Sequence, residues 1–304
     1  MIRQKTSRKP ARVHRSPRGL HRILVALDRS PAGETILEHL RELLAPRSIA
    51  LLVHVIPTPP PSSSEGLVDL LRVEEDAEGY LDGAAERLPQ ARARSIVEIG
   101  DPAQRLLDTA RHEDVDALAL TTHVRSGLTS LLMGSVAREL VQKAGRPVFL
   151  VRPGVAPPSP SRRNILVPLS GPEGATPVLR VVQDLAKRTG STVTLLHVLP
   201  APRVADPVTG FNPIVIRPLQ LPEVLWLDPI VDLMAHHGVR AEKLVLMGDP
   251  EELILREARE RDVGLIALPT RGRGGIARLI LGSVAEHVVQ KADRAVLLFH
   301  RVDE

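Results

Sequence analysis

Between Pro269 and Glu286 the chain reads PTRGRGGIARLILGSVAE, with glycines at 272, 274 and 275 and a Gly-Ser pair at 282 and 283. Glycine removes the side chain that would hold a ligand away, so such a stretch lets backbone N–H groups approach a phosphate. Arg271 and Arg273 would add positive charge to the same loop. A second stretch, THVRSGLTSLLMGSVAREL, has the same GSVA ending at 134–137 but carries Val124 where its partner has Gly272. A β-branched residue resists positive φ and would put methyl groups where a phosphate should lie.

Other chemistry finds little support. Gly272 to Ala277 matches a dinucleotide-binding fingerprint only superficially, because that motif belongs after the first strand of a unit. RGRGG is a single arginine-glycine copy, and the P-loop lysine signature, G-x-S-x-G and H-E-x-x-H are all missing. His236 and His237 are adjacent, so they fall on different helix faces and make a poor metal pair. His54 and His197 occupy matching strand positions and read as buried, hydrogen-bonded histidines, with contact to a base as the lesser option. His123 lies beside the loop that would meet phosphate. No catalytic residue and no metal site is expected; an enzyme here would at most be a slow ATPase.

The elements that must position the glycine stretches appear twice. HRILVALD at 21–28 is echoed by RNILVPLS at 163–170, and LLVHVIP at 51–57 by LLHVLP at 195–200. GDP at 100–102 returns at 248–250, GSVA at 134–137 returns at 282–285, and VQKAGRPVFLV at 141–151 matches VQKADRAVLLF at 289–299. The late offsets all equal 148 and the first equals 142, so the second copy has gained about six residues in its middle. This is a tandem duplication.

Within the first copy, ILVAL (23–27) is a short apolar run, the mark of a strand buried on both faces. Helix over 32–44, strand 49–55, helix near 74–88, strand 95–100, helix 102–113, strand 116–122, helix 135–144 and strand 147–151 follow in alternation. That order calls for a parallel sheet with helices on both faces and ligands at the carboxyl ends of the strands. The expected division is a basic, disordered tail 1–21, a first domain 22–152, a Pro/Ser linker 153–161 and a second domain 162–304. PTPPPSSSEG (57–66) reads as a surface loop, and the longer segment at 200–229 as an excursion or a lid.

Composition sets outer bounds. The 304 residues are 43% hydrophobic, 25% charged and only 2% aromatic, enough apolar surface for aliphatic cores. Cysteine is absent, which removes disulfides, thiolate metal sites and a cysteine nucleophile. The net charge of +4 misleads, because residues 1–22 hold eight Lys/Arg and no acid, leaving 32 basic against 36 acidic residues in the body. Such a tail is the only expected contact with nucleic acid. No stretch approaches the ~20 apolar residues of a membrane span, so a cytoplasmic protein without a membrane partner is expected.

ILVALD, GDP and the two GSVA-ending stretches resemble the universal stress protein family, over residues 22–152 and 162–301. The resemblance implies two tandem flavodoxin-like, Rossmann-like α/β domains, each a five-stranded parallel sheet in order 3-2-1-4-5 with helices on both faces. Members either bind ATP or do not. Binders carry G-x2-G-x9-G-[ST] and an aspartate at the end of the first strand.

Carried across, the motif is damaged in both copies. In the second, Gly272, Gly282 and Ser283 match, while Pro269 replaces the first glycine and Ser170 the aspartate; Pro168, Val198 and Val284 complete the candidate site. In the first, Asp28, Gly134 and Ser135 match, while Thr121 and Val124 replace the first two glycines; Ala26, Val55 and Val136 complete it. The second copy is the better candidate for ATP or another adenine nucleotide as cofactor. The expectation is a nucleotide-responsive stress regulator. The alternatives are a scaffold with no cofactor that acts through protein–protein contacts, and a slow ATPase. The strands PVFLV and AVLLF should join the two copies into an intramolecular pseudo-dimer, with a homodimer of chains beyond it.

Overall fold

The computed structural model describes residues 19–44, 46–58, 66–122, 133–158, 164–172, 175–199, 224–270 and 281–299. In the first copy β1 (Arg22–Ala26), α1 (Thr35–Leu43), β2 (Ile49–Ile56), α2 (Gly66–Glu86), β3 (Arg92–Ile99), α3 (Pro102–His112), β4 (Ala117–Thr121), α4 (Ser135–Lys143) and β5 (Val148–Val151) alternate along the chain. The second copy repeats the series as β6 (Ile165–Pro168), α5 (Ala175–Thr189), β7 (Val193–Leu199), α6 (Asp228–His236), β8 (Ala241–Met247), α7 (Pro250–Glu260), β9 (Leu265–Pro269), α8 (Ser283–Lys291) and β10 (Ala295–Phe299). A 3₁₀ turn, Leu225–Leu227, leads into α6.

The strands form one ten-stranded sheet in the order β3-β2-β1-β4-β5-β10-β9-β6-β7-β8. Each half therefore has the expected order 3-2-1-4-5, with parallel pairing inside it. The halves meet antiparallel, Val296 opposite Leu150 and Leu298 opposite Val148, through the two strands expected to join them. Central strands such as ALALT (117–121) and AVLLF (295–299) are buried on both faces, which explains their unbroken apolar sequence.

Two aliphatic layers cover the sheet, and both draw residues from both copies. One packs Ile36, Leu40 and Phe149 with Val182, Leu185 and Phe299. The other packs Leu107, Leu140 and Leu150 with Ile254, Val288 and Val296. The apolar positions of α1 (Ile36, Leu37 and Leu40) recur at helical spacing and are buried.

The repeated Gly-Asp-Pro has a local reason. Gly100 at φ 141° turns the chain out of β3, the Asp101 carboxylate accepts from the Gln104 N–H at 2.8 Å, and Pro102 opens α3. Asp249 does the same for α7, accepting from the N–H groups of Glu251 and Glu252. The largest boundary difference from the sequence reading is at α2, which starts at Gly66, not near 74, while α1 starts at Thr35 rather than 32 and β3 at Arg92 rather than 95. Leu71 and Val73 on the early turns of α2 are exposed, so that stretch runs beyond the core and lacks the periodicity that marks a helix.

Candidate functional site

The order reversal of the first half falls between β1 and β4, and a cavity of about 470 Å³ opens there at the carboxyl ends of the strands. That volume is in the range of small-molecule sites, roughly 300–1,000 Å³. β1 contributes Ala26 and the loop Leu27–Arg29, β2 contributes Val53 to Val55, and β4 contributes Leu120 and Thr121. The start of α4 closes the far side with Gly134, Ser135, Val136 and Ala137, while Pro102 and Leu106 of α3 form an apolar wall. All seven candidate residues of the first copy line this one space: Ala26, Asp28, Val55, Thr121, Gly134, Ser135 and Val136.

Local bonding fixes the aspartate. Asp28 Oδ1 accepts from the Ser30 N–H at 3.1 Å and from the Ser30 hydroxyl at 2.6 Å. Ser30 Oγ in turn accepts from the Gly33 N–H at 2.9 Å. A Cβ on Gly33 would overlap Asp28 Oδ1, so this glycine exists for close approach. Thr121, which replaces the first motif glycine, is buried, and its hydroxyl donates to the Gly33 carbonyl at 3.0 Å. The substitution thus ties β4 to the loop that carries Asp28.

His54 and His197 are buried, as the sequence reading favoured. Each ring donates from Nδ1 to a carbonyl at the end of the first strand of its own copy, Leu27 at 2.8 Å and Leu169 at 2.7 Å. A carbonyl only accepts, so each ring carries a proton on Nδ1. Each packs edge-on against one aromatic ring, Tyr80 at 6.4 Å and Trp226 at 5.4 Å between centroids. Burial pushes the Tyr80 phenol well above its ordinary pKa, and Glu34 and Asp28 add to the shift. Arg29, which the sequence reading did not single out, also lines the cavity, with its guanidinium 5.9 Å from the centre of the Tyr80 ring.

Gly134 and Gly282 hold the N-cap positions of α4 and α8 at φ −57° and −63°. Any residue can adopt those angles, so the backbone conformation does not demand glycine at either helix start. The N–H groups of the first turn of α4 have no partner within the helix and sit in the cavity wall. They carry the positive end of the helix dipole.

In the second copy Pro168 ends β6 and Ser170 follows it, Val198 lies in β7, Pro269 ends β9, and Gly282, Ser283 and Val284 open α8. These four elements repeat the first-copy arrangement, and the Gly282 N–H donates to the Thr270 carbonyl at 2.8 Å. Gly272, Arg271 and Arg273 lie outside the described residues, as do His123 and Val124 of the first copy. Among the described residues no group of three His, Asp or Glu side chains could hold a metal ion, and no helix is long and apolar enough to cross a membrane.

Two doubly wound half-sheets joined edge to edge, with a cleft at the order reversal, place the chain among open α/β proteins that take ligands at strand ends. The model of the universal stress protein family matches residues 19–152 and 161–300, and the chain belongs to that family as a tandem member. A universal stress protein of Mycobacterium tuberculosis strain H37Rv is 25% identical over 305 residues, covering 91% of this chain and 94% of its own. The fold is shared with a universal stress protein from Archaeoglobus fulgidus DSM 4304, at a TM-score of 0.71, 20% identity, and coverage of 93% and 99%. Another from Archaeoglobus fulgidus, solved in complex with dAMP, covers 45% of this chain at 23% identity and a TM-score of 0.33.

Proposed function

We propose that this chain is a nucleotide-responsive stress regulator that holds ATP or another adenine nucleotide in the first-copy cleft. The observation that carries this reading is the cavity of about 470 Å³ lined by all seven first-copy candidate residues. Asp28 accepts from ribose or base, the strand ends at Ala26 and Val55 border the base, and the α4 start takes phosphate on its N–H groups. Glycine at 134, where φ does not require it, leaves room for that approach. The sequence reading preferred the second copy; what favours the first is its charged Asp28, against the neutral Ser170. In this reading the protein is cytoplasmic and not an enzyme. Bound nucleotide shifts it between states with different partners, to the extent that it binds those states with different affinity.

A scaffold reading, with no cofactor and action through protein contacts, draws on Thr121, whose side chain stands where the motif has its first glycine. The two readings separate in one experiment. Protein purified natively is denatured, released nucleotide is identified by mass spectrometry, and ATP is titrated calorimetrically into wild type and Asp28→Ala. Adenine nucleotide recovered, with affinity weakened about tenfold or more in the variant, supports the regulator. No nucleotide and no heat at millimolar ATP supports the scaffold.

A further inference from the structure

Arg29 occupies a place that rarely suits an arginine. Its backbone is left-handed, at φ 65°, a strained region for a residue with a Cβ. Strain of this kind persists where the surrounding structure enforces it, and it clusters at ligand sites. Here the Asp28–Ser30–Gly33 bonding fixes the turn on one side. On the other, the guanidinium rests 5.9 Å from the centre of the Tyr80 ring, which packs against His54.

Charge gives the position its meaning. Among the described residues lining the cleft, Arg29 is the sole cation and Asp28 the sole carboxylate. A fixed carboxylate disfavours a polyanion, whereas a nucleoside would feel no such repulsion. A planar guanidinium presents paired donors that match phosphate geometry.

We infer that Arg29 sets the ligand class of the cleft, selecting a phosphorylated nucleotide over the bare nucleoside by supplying the countercharge to Asp28. This rests on the nucleotide reading above and names the part of the ligand that Arg29 recognises. Tyr80 acts as the perch that holds the guanidinium at the cleft before ligand arrives.

The test is calorimetric titration of the full chain with ATP and, separately, with adenosine, for wild type, Arg29→Gly and Arg29→Lys. Glycine suits φ 65°, so Arg29→Gly removes the charge without adding backbone strain. Wild type should bind ATP more tightly than adenosine. Arg29→Gly should lose about 10- to 100-fold in ATP affinity, with a smaller change for adenosine, so that the preference collapses. Arg29→Lys should recover part of it. A wild-type preference retained in Arg29→Gly would overturn the inference, and so would equal wild-type affinity for both ligands, which would leave the nucleotide site itself standing. Binding of neither ligand by wild type would overturn both together.

Discussion

Asp28 and Gly33 constrain one another, because a Cβ on Gly33 would overlap Asp28 Oδ1 and stand 3.1 Å from Ser30 Oγ. Gly33→Ala should therefore push the loop outward, cost about 1–3 kcal/mol of stability and weaken ATP binding as well, read by denaturant melts and calorimetry. The buried histidines give a paired prediction. His54→Leu or His197→Leu leaves the Leu27 or Leu169 carbonyl without its donor, so each should cost about 1–3 kcal/mol. A loss in one copy only would show that the two latches are not equivalent. The sequence named the seven first-copy candidates that line the cavity, because each sits at a motif position, a strand end or a helix start. Arg29, Gly33 and Tyr80 escaped it, since a backbone angle, a close approach and a cation over a ring leave no spacing pattern.

The Gly-Asp-Pro repeats make the elements predictable. Asp101→Ala should remove the cap of α3 and cost about 1 kcal/mol, and Asp249→Ala should do the same at α7. Either loss should appear as a fall of a few degrees in the thermal midpoint. The strands and their order were legible because buried parallel strands are continuous apolar runs at fixed places in a duplicated series. The start of α2 was not, because Leu71 and Val73 are exposed and break the amphipathic period. Preference for the second copy was read from Gly272 against the β-branched Val124, with Arg271 and Arg273 as added charge and Ser170 as a weaker acceptor than aspartate. Thr121 was read there only as a lost glycine, because its hydrogen bond from β4 to the Asp28 loop leaves no mark in the sequence.

The whole molecule is one sheet shared by two copies, and the segment after β5 is pinned back onto α1. Buried His39 donates from Nε2 to the Val155 carbonyl at 3.0 Å, and burial pulls its pKa below the ordinary histidine value. The unfolded chain then takes up the proton first, so stability should fall as pH drops below about 6.5. His39→Gln should lose less stability than wild type between pH 7 and pH 5, measured by urea unfolding at each pH. An adenine nucleotide held in the first-copy cleft should show itself in amide hydrogen exchange measured with and without ATP. Protection should appear at Leu27–Gly33, at Val53–Val55 and at Gly134–Ala137. Exchange unchanged by ATP, or protection confined to Ser170, Val198 and Gly282–Val284, would contradict it.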